Sequence, residues 1–360
     1  IKSGTIKGAD YGIKNTGTLT ISGASVYNAE KQAVRNSGTV TISGGTFYNS
    51  GNGIVNYKTA EIIGGSFYGN TSDGILNKGT LTFAGGSSYE NKYGIENEEG
   101  KITINGGNVY SNTHGIVNAD EIKMSAGKIH GNTDRGISNS GTFILTGGSI
   151  YSNTDGIVNS GTLNFKEGEC KKNSDNGILN SGTVTVSSGV VSGNVTGIYN
   201  KGTLTVSGGE ITANTENGIY NTKKVTFQDG SIVSNTENGI YNTADGTVTQ
   251  TGGTISGNKN GICQKGTYTL SAGSITANSS KGIYNTGTAN ISGGSVTDNT
   301  SSGIYNTETG TVKQTGGTIS GSENGVYQKG TYTLSAGKVT SNSSTGIYNL
   351  GTANISGGSV

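Results

Sequence analysis

Apolar and polar residues alternate along this chain in short runs, and the runs return at a fixed interval. In residues 198–218, Leu204 and Val206 are separated by Thr205 and preceded by Thr203, the period-two pattern of a half-buried strand. Two more short apolar segments centre on Ile198 and Ile211. Lys201-Gly202, Gly208-Gly209 and Asn214 to Gly218 separate the three, and such residues make turns. No helical period is present. The pattern predicts three short strands and three turns in each stretch of about 21 residues.

Every such stretch carries Gly-Ile-x-Asn or a close variant. The anchoring position runs from Ile13 through Val34, Ile54 and onward to Val326 and Ile347; 17 anchors give (347 − 13)/16, a mean spacing of 20.9 residues. A period of this size marks a solenoid, in which each unit stacks on the last. An equivalent strand returns only after a full circuit, so neighbouring strands must pair in parallel, and the crossover rule favours the right-handed sense. The expected fold is all-β: a right-handed parallel β-helix of about 17 coils forming one domain over 1–360, ~80 Å long at ~4.8 Å per coil. Columns represented by Ile198, Leu204, Val206 and Ile211 point inward, each side chain contributing roughly 1.5–3 kcal/mol when buried. The Asn column (Asn56, Asn77, Asn159, Asn200) suits an axial ladder of amides or, alternatively, simple left-handed turns.

Composition narrows the picture. The chain has 65 glycines, and 30% of its residues are hydrophobic, values that suggest disorder in an aperiodic sequence. Here the glycines sit at fixed offsets, as in Gly147-Gly148 and Gly208-Gly209, which is turn chemistry. A net charge of +1 with scattered signs gives no reason to expect nucleic acid or an anionic membrane as partner. No apolar run approaches the roughly 20 residues of a membrane-spanning helix. The chain lacks an initial Met and stops within a repeat, as expected of a fragment of a longer protein. Cys170 replaces an inward Ile or Val and Cys263 replaces a Tyr. Four coils apart, or roughly 20 Å, they are too distant for a disulfide, and no metal-ligand spacing exists.

Coil length, Asn column and Gly-Ile anchor together resemble right-handed parallel β-helix proteins of the pectin-lyase-like class. Segments such as Gly147-Gly148-Ser149-Ile150-Tyr151-Ser152-Asn153 also resemble repeats of bacterial polymorphic outer-membrane and autotransporter adhesins. The resemblance implies a secreted or surface-displayed bacterial protein. Its motifs specify backbone shape rather than chemistry.

Departures from the repeat mark places of interest. Residues 242–296 recur with modest changes at 306–360, an offset of three coils, with Gln-Thr-Gly-Gly-Thr-Ile-Ser-Gly at both 250–257 and 314–321. Gln250 and Gln314 fall in an inward slot, which requires buried polar partners or a local shift of register. After the anchor comes an outward position holding Val55, Leu76, Val117, Val158 and Leu179 early in the chain. Later it holds Tyr199, Tyr220, Tyr241, Tyr284, Tyr305, Tyr327 and Tyr348. A second tyrosine column follows the third strand: Tyr27, Tyr48, Tyr68, Tyr89, Tyr110 and Tyr151, with His130 in register. Flat rings on a rigid face are candidate contacts for glycans or surface proteins; ring stacking between coils accounts for them equally well.

Candidate chemistry is sparse. Asp73, Asp155 and Asp175 precede Gly-Ile anchors in turns. In the irregular stretch 114–135, register places Arg135 over His114 and Asp155 over Arg135, an axial ion pair. No paired carboxylates, nucleophile–base spacing, metal ligands or cofactor motif stand out. Thr-x-Thr pairs such as Thr203/Thr205 resemble the ice-binding arrays of insect antifreeze proteins, but Glu61, Lys123, Lys224, Asn290 and Lys313 interrupt them. The expected function is a non-enzymatic adhesin or stalk, with a β-helical polysaccharide lyase or glycoside hydrolase as the alternative.

Overall fold

The computed structural model describes residues 1–360, which divide into two compact units, Ile1–Ile178 and Leu179–Val360. Each unit is a parallel β-solenoid without helices, and the chain holds 17 five-residue strands from Tyr11–Asn15 to Thr345–Asn349. In the first unit Asn52–Asn56 pairs in parallel with Asp73–Asn77, Ile54 opposite Ile75 and Asn56 opposite Asn77. In the second, Asn217–Asn221 pairs with Asn238–Asn242 in the same way. Like therefore faces like along the anchor and Asn columns of these pairs.

The two remaining strands expected in each coil join, in most coils, into one bent strand of ten residues, such as Thr80–Tyr89 and Thr203–Thr212. The bend falls at the Gly-Gly pair, where pairing slips between Val206/Ser207 and Ser207/Glu210. Gly208 is required there because a Cβ would lie 2.3 Å from the Ser187 carbonyl oxygen, and Gly209 has φ +82°. Adding a side chain at either position would collide with backbone or strain it.

Inward residues form unbroken buried columns, including Ile219, Ile240 and Ile262, or Ile211, Ile232 and Ile255. Gln250 and Gln314 keep the register, opposite Phe227 and Ile291 respectively, and are fully buried. Their partners are tyrosines one coil on: Tyr268 donates to Gln250 Oε1 at 2.7 Å, and Tyr332 to Gln314 Oε1 at 2.6 Å. The amide of Gln250 donates to the Gly252 carbonyl at 3.1 Å. A buried polar pair thus satisfies itself inside an apolar interior.

The Asn column is an amide ladder. In the first unit Asn36 Nδ2 donates to Asn56 Oδ1 at 2.8 Å and Asn56 to Asn77 at 2.9 Å; in the second, Asn200 donates to Asn221 at 2.8 Å. A second ladder follows the third strand: the backbone N–H and Nδ2 of Asn112 both donate to Asn132 Oδ1 at 3.1 Å. Asn214 does the same to Asn235. This second ladder holds the preceding corner, where one residue per coil is left-handed, including Ser152 (φ 55°) and Ala213 (φ 53°). Non-glycine residues tolerate that conformation when their surroundings fix it.

Candidate binding faces

In the first unit the column from Tyr27 to Tyr151 is a continuous ring stack. Tyr27, Tyr48, Tyr68, Tyr89 and Tyr110 follow at centroid separations of 4.8, 4.9, 5.0 and 5.0 Å, their planes within 15° of parallel. His130 continues the stack at 5.3 Å from Tyr110 and 4.8 Å from Tyr151. The spacing is that of the strands themselves, so backbone pairing sets the ring distance. All seven rings are half-buried. Burial is the main reason that Tyr48 and Tyr89 ionise only above the usual tyrosine range and His130 below the usual histidine range.

This geometry alters the expectation of flat exposed rings. An internal ring turns both faces to its neighbours and presents its edge and hydroxyl outward. Faces are open only where a stack ends or breaks.

The second unit carries its tyrosines after the anchor. Tyr220 stacks on Tyr241 at 5.0 Å, and Tyr284, Tyr305, Tyr327 and Tyr348 follow at 5.5, 5.0 and 4.9 Å. Tyr199 meets Tyr220 edge-on at 4.8 Å. Cys263 occupies the rung between Tyr241 and Tyr284 and interrupts the series. Lysines lie over several rings: Lys201 over Tyr199 at 4.6 Å, Lys265 over Tyr241 at 5.1 Å and Lys281 over Tyr305 at 5.4 Å. The Tyr241 and Tyr305 hydroxyls bond Lys265 and Lys329 and raise both amines above the usual lysine range. An open groove of ≈ 260 Å³ is lined by Tyr284, Tyr305, Thr307, Glu308, Thr309 and Lys329.

The early aliphatic positions are not an exposed strip. Val55 is fully buried, flanked by Arg35, whose guanidinium lies 4.5 Å from the Tyr57 ring and bonds its hydroxyl at 3.2 Å. Leu76, Val117, Val158 and Leu179 are half-buried. The aliphatic stem of Arg35 lies beside Val55 on the adjacent rung and covers it.

The charged residues of 114–135 also differ from expectation. Register does place Arg135 opposite Asp155, but Asp155 Oδ1 accepts from the backbone and amide of Asn176 at 3.2 and 2.9 Å. Arg135 Nε instead lies 3.7 Å from Asp134 Oδ2, and His114 Nδ1 lies 3.5 Å from the same oxygen. Burial outweighs Asp134 and holds His114 below the usual histidine range.

Sequence reasoning missed one carboxyl pair. Asp73 is 2% exposed; Oδ2 accepts from Asn52 Nδ2 and from Ser72 Oγ at 3.0 Å. Oδ1 meets no donor group, and Glu96 approaches from the next coil. Burial first, and the Glu96 carboxyl second, push Asp73 up to about 7, so this carboxyl keeps its proton well above the ordinary carboxylate range. Carboxyls in hydrogen-bond contact lack the ~5 Å or wider separation that glycoside hydrolysis uses. Cys170 is buried, donates to the Gly177 carbonyl at 3.0 Å and has its thiol pushed up by burial. Nowhere do three or more His, Cys, Asp or Glu residues gather into a metal-holding group.

No family model, curated protein or solved structure matches this chain.

Proposed function

We propose that this chain is a non-enzymatic binding scaffold of a bacterial surface or secreted protein, an adhesin or stalk segment whose tyrosine-bearing faces contact glycans or surface proteins. The observation that carries this reading is the registered, half-exposed tyrosine column in each unit, with lysines laid over the rings of the second. Backbone pairing fixes the rings, so little conformational freedom remains to be lost on contact. Repetition along the axis offers many equivalent weak contacts, which suits avidity.

A glycan array and a cell-binding assay on the intact chain test the reading. Changing Tyr220, Tyr241 and Tyr284 together to Ser weakens binding about tenfold or more with a small change in melting temperature. A large thermal loss with unchanged affinity would assign the tyrosines to coil stacking alone.

A further inference from the structure

The break in the second-unit tyrosine series has the shape of a site. Tyr241 and Tyr284 stand two rungs apart, ~9.6 Å at ~4.8 Å per rung, with the small Cys263 side chain as the floor between them. Each tyrosine stacks on a neighbour only on its far side, Tyr241 on Tyr220 and Tyr284 on Tyr305. Their near faces meet no ring. The vacancy is one ring thick, because a ring at its centre sits ~4.8 Å from both walls, within the range of stacked rings.

The duplicated copy of this segment shows the filled form. Counting 64 residues on, Tyr241, Cys263, Lys265 and Tyr284 become Tyr305, Tyr327, Lys329 and Tyr348. Tyr327 there stacks between its neighbours at 5.0 and 4.9 Å. The same backbone thus accepts a full ring at this rung.

The rim is cationic and hydroxyl-bearing. Lys265 extends from the Cys263 rung over Tyr241 at 5.1 Å, whereas Lys281 lies closer to the Tyr305 ring (5.4 Å) than to the Tyr284 ring (5.9 Å), on the side away from the gap. Lys265 joins none of the chain's ion pairs with carboxylates. Both walls carry phenolic hydroxyls, able to pair with hydroxyls of a ligand.

We infer that the rung vacated at Cys263 receives the ring of a carboxylated pyranose, its C–H faces against Tyr241 and Tyr284 and its carboxylate beside Lys265, whose amine gives up its place over the Tyr241 ring. This rests on the glycan-binding reading above and assigns it a place and a charge preference. A neutral sugar leaves the Lys265 amine without a counterion. A flat aromatic acid leaves the hydroxyl rim without partners.

The test is ligand-observed NMR on the intact chain with a methyl glucuronide, a methyl sialoside, a methyl glucoside and benzoate. In parallel, the rate of Cys263 alkylation by iodoacetamide is followed, Cys170 being buried. At least one carboxylated sugar binds and slows alkylation, and comparison of the two separates uronate from sialate. The glucoside binds at least about tenfold more weakly, as does the carboxylated sugar to the Lys265→Gln variant. Cys263→Tyr, which restores the residue of the duplicated coil, abolishes binding with the melting temperature retained. Equal binding of the glucoside, binding of benzoate alone, or full binding by folded Cys263→Tyr overturns the slot. If the array then still reports a ligand that Cys263→Tyr retains, only the slot fails; if the array is blank as well, the glycan reading falls with it.

Discussion

Asn221 donates from Nδ2 to Oδ1 of Asn242 at 2.7 Å, and it accepts at its own Oδ1 from Asn200 at 2.8 Å. Asn221 is thus donor to one coil and acceptor from another; the relay breaks at Gln264, whose Nε2 donates to the Thr288 carbonyl at 3.2 Å and leaves Asn285 Oδ1 without a partner. Asn221→Ala orphans a buried acceptor on Asn242, while Asn200 Nδ2 keeps its bonds to the Gly202 and Lys224 carbonyls, for an expected loss of about 1–3 kcal/mol. Asn221→Gln loses less, since Gln264 already serves in this column, accepting from Asn242 at 2.7 Å. Chemical denaturation of both variants measures the difference.

Asp73 gives stability an acidic preference. Its folded carboxyl holds a proton up to about 7, against 3.8 for the ordinary group. Between those values the folded state binds more protons than the unfolded one, so unfolding free energy falls as pH rises and the contribution is gone above pH 7. The effect is on the order of 2–4 kcal/mol. Asp73→Asn supplies the amide that Asn52, Asn217 and Asn238 provide at the same position in other coils. Melting temperatures across this range should show a smaller decline for Asp73→Asn and a higher value than the parent at about pH 8.

The Gln250–Tyr268 pair is expected to behave as a unit. Gln250→Leu fits sterically, because Phe227 and Leu270 flank the slot, yet it leaves the Tyr268 hydroxyl unpaired at about 1–3 kcal/mol. Adding Tyr268→Phe removes the orphan and restores most of that loss. A double-mutant cycle in urea reads the coupling, and strict additivity would contradict the pairing.

Ala213 sits at φ 53° on the corner after the third strand. Glycine occupies the same corner as Gly131 and Gly193, both with positive φ. Ala213→Gly is expected to stabilise the chain by about 0.5–1 kcal/mol, the relief of left-handed strain exceeding the added freedom of the unfolded chain. Denaturation midpoints at constant slope measure it.

The coil and its inward columns were legible because alternation marks which side chains turn in, and the fixed period stacks like upon like. The amide ladder followed from the same register. Features that depend on side-chain direction were not legible. A column of tyrosines says nothing about the ring plane, which decides whether faces or edges meet solvent. Register pairs Asp73 with Tyr93 and Leu76 with Glu96, so the approach of Glu96 to Asp73 crosses the rungs diagonally. Asp134 lies in a turn, where strand periodicity gives no direction, and it draws the Arg135 and His114 side chains from their axial neighbours. Val55 is covered by arginine and tyrosine side chains too long for a column argument to place.

The hydrogen bond between Gln250 and Tyr268 reaches from one coil into the next and bears on how such a sequence grows. A recombination event that copied Gln250 without Tyr268 would leave a dangling polar group in the new interior, and selection would discard it. The copy present at Gln314 and Tyr332 carried both. Coils joined in this way are inherited together, so the chemistry of one buried pair constrains where the gene is free to break.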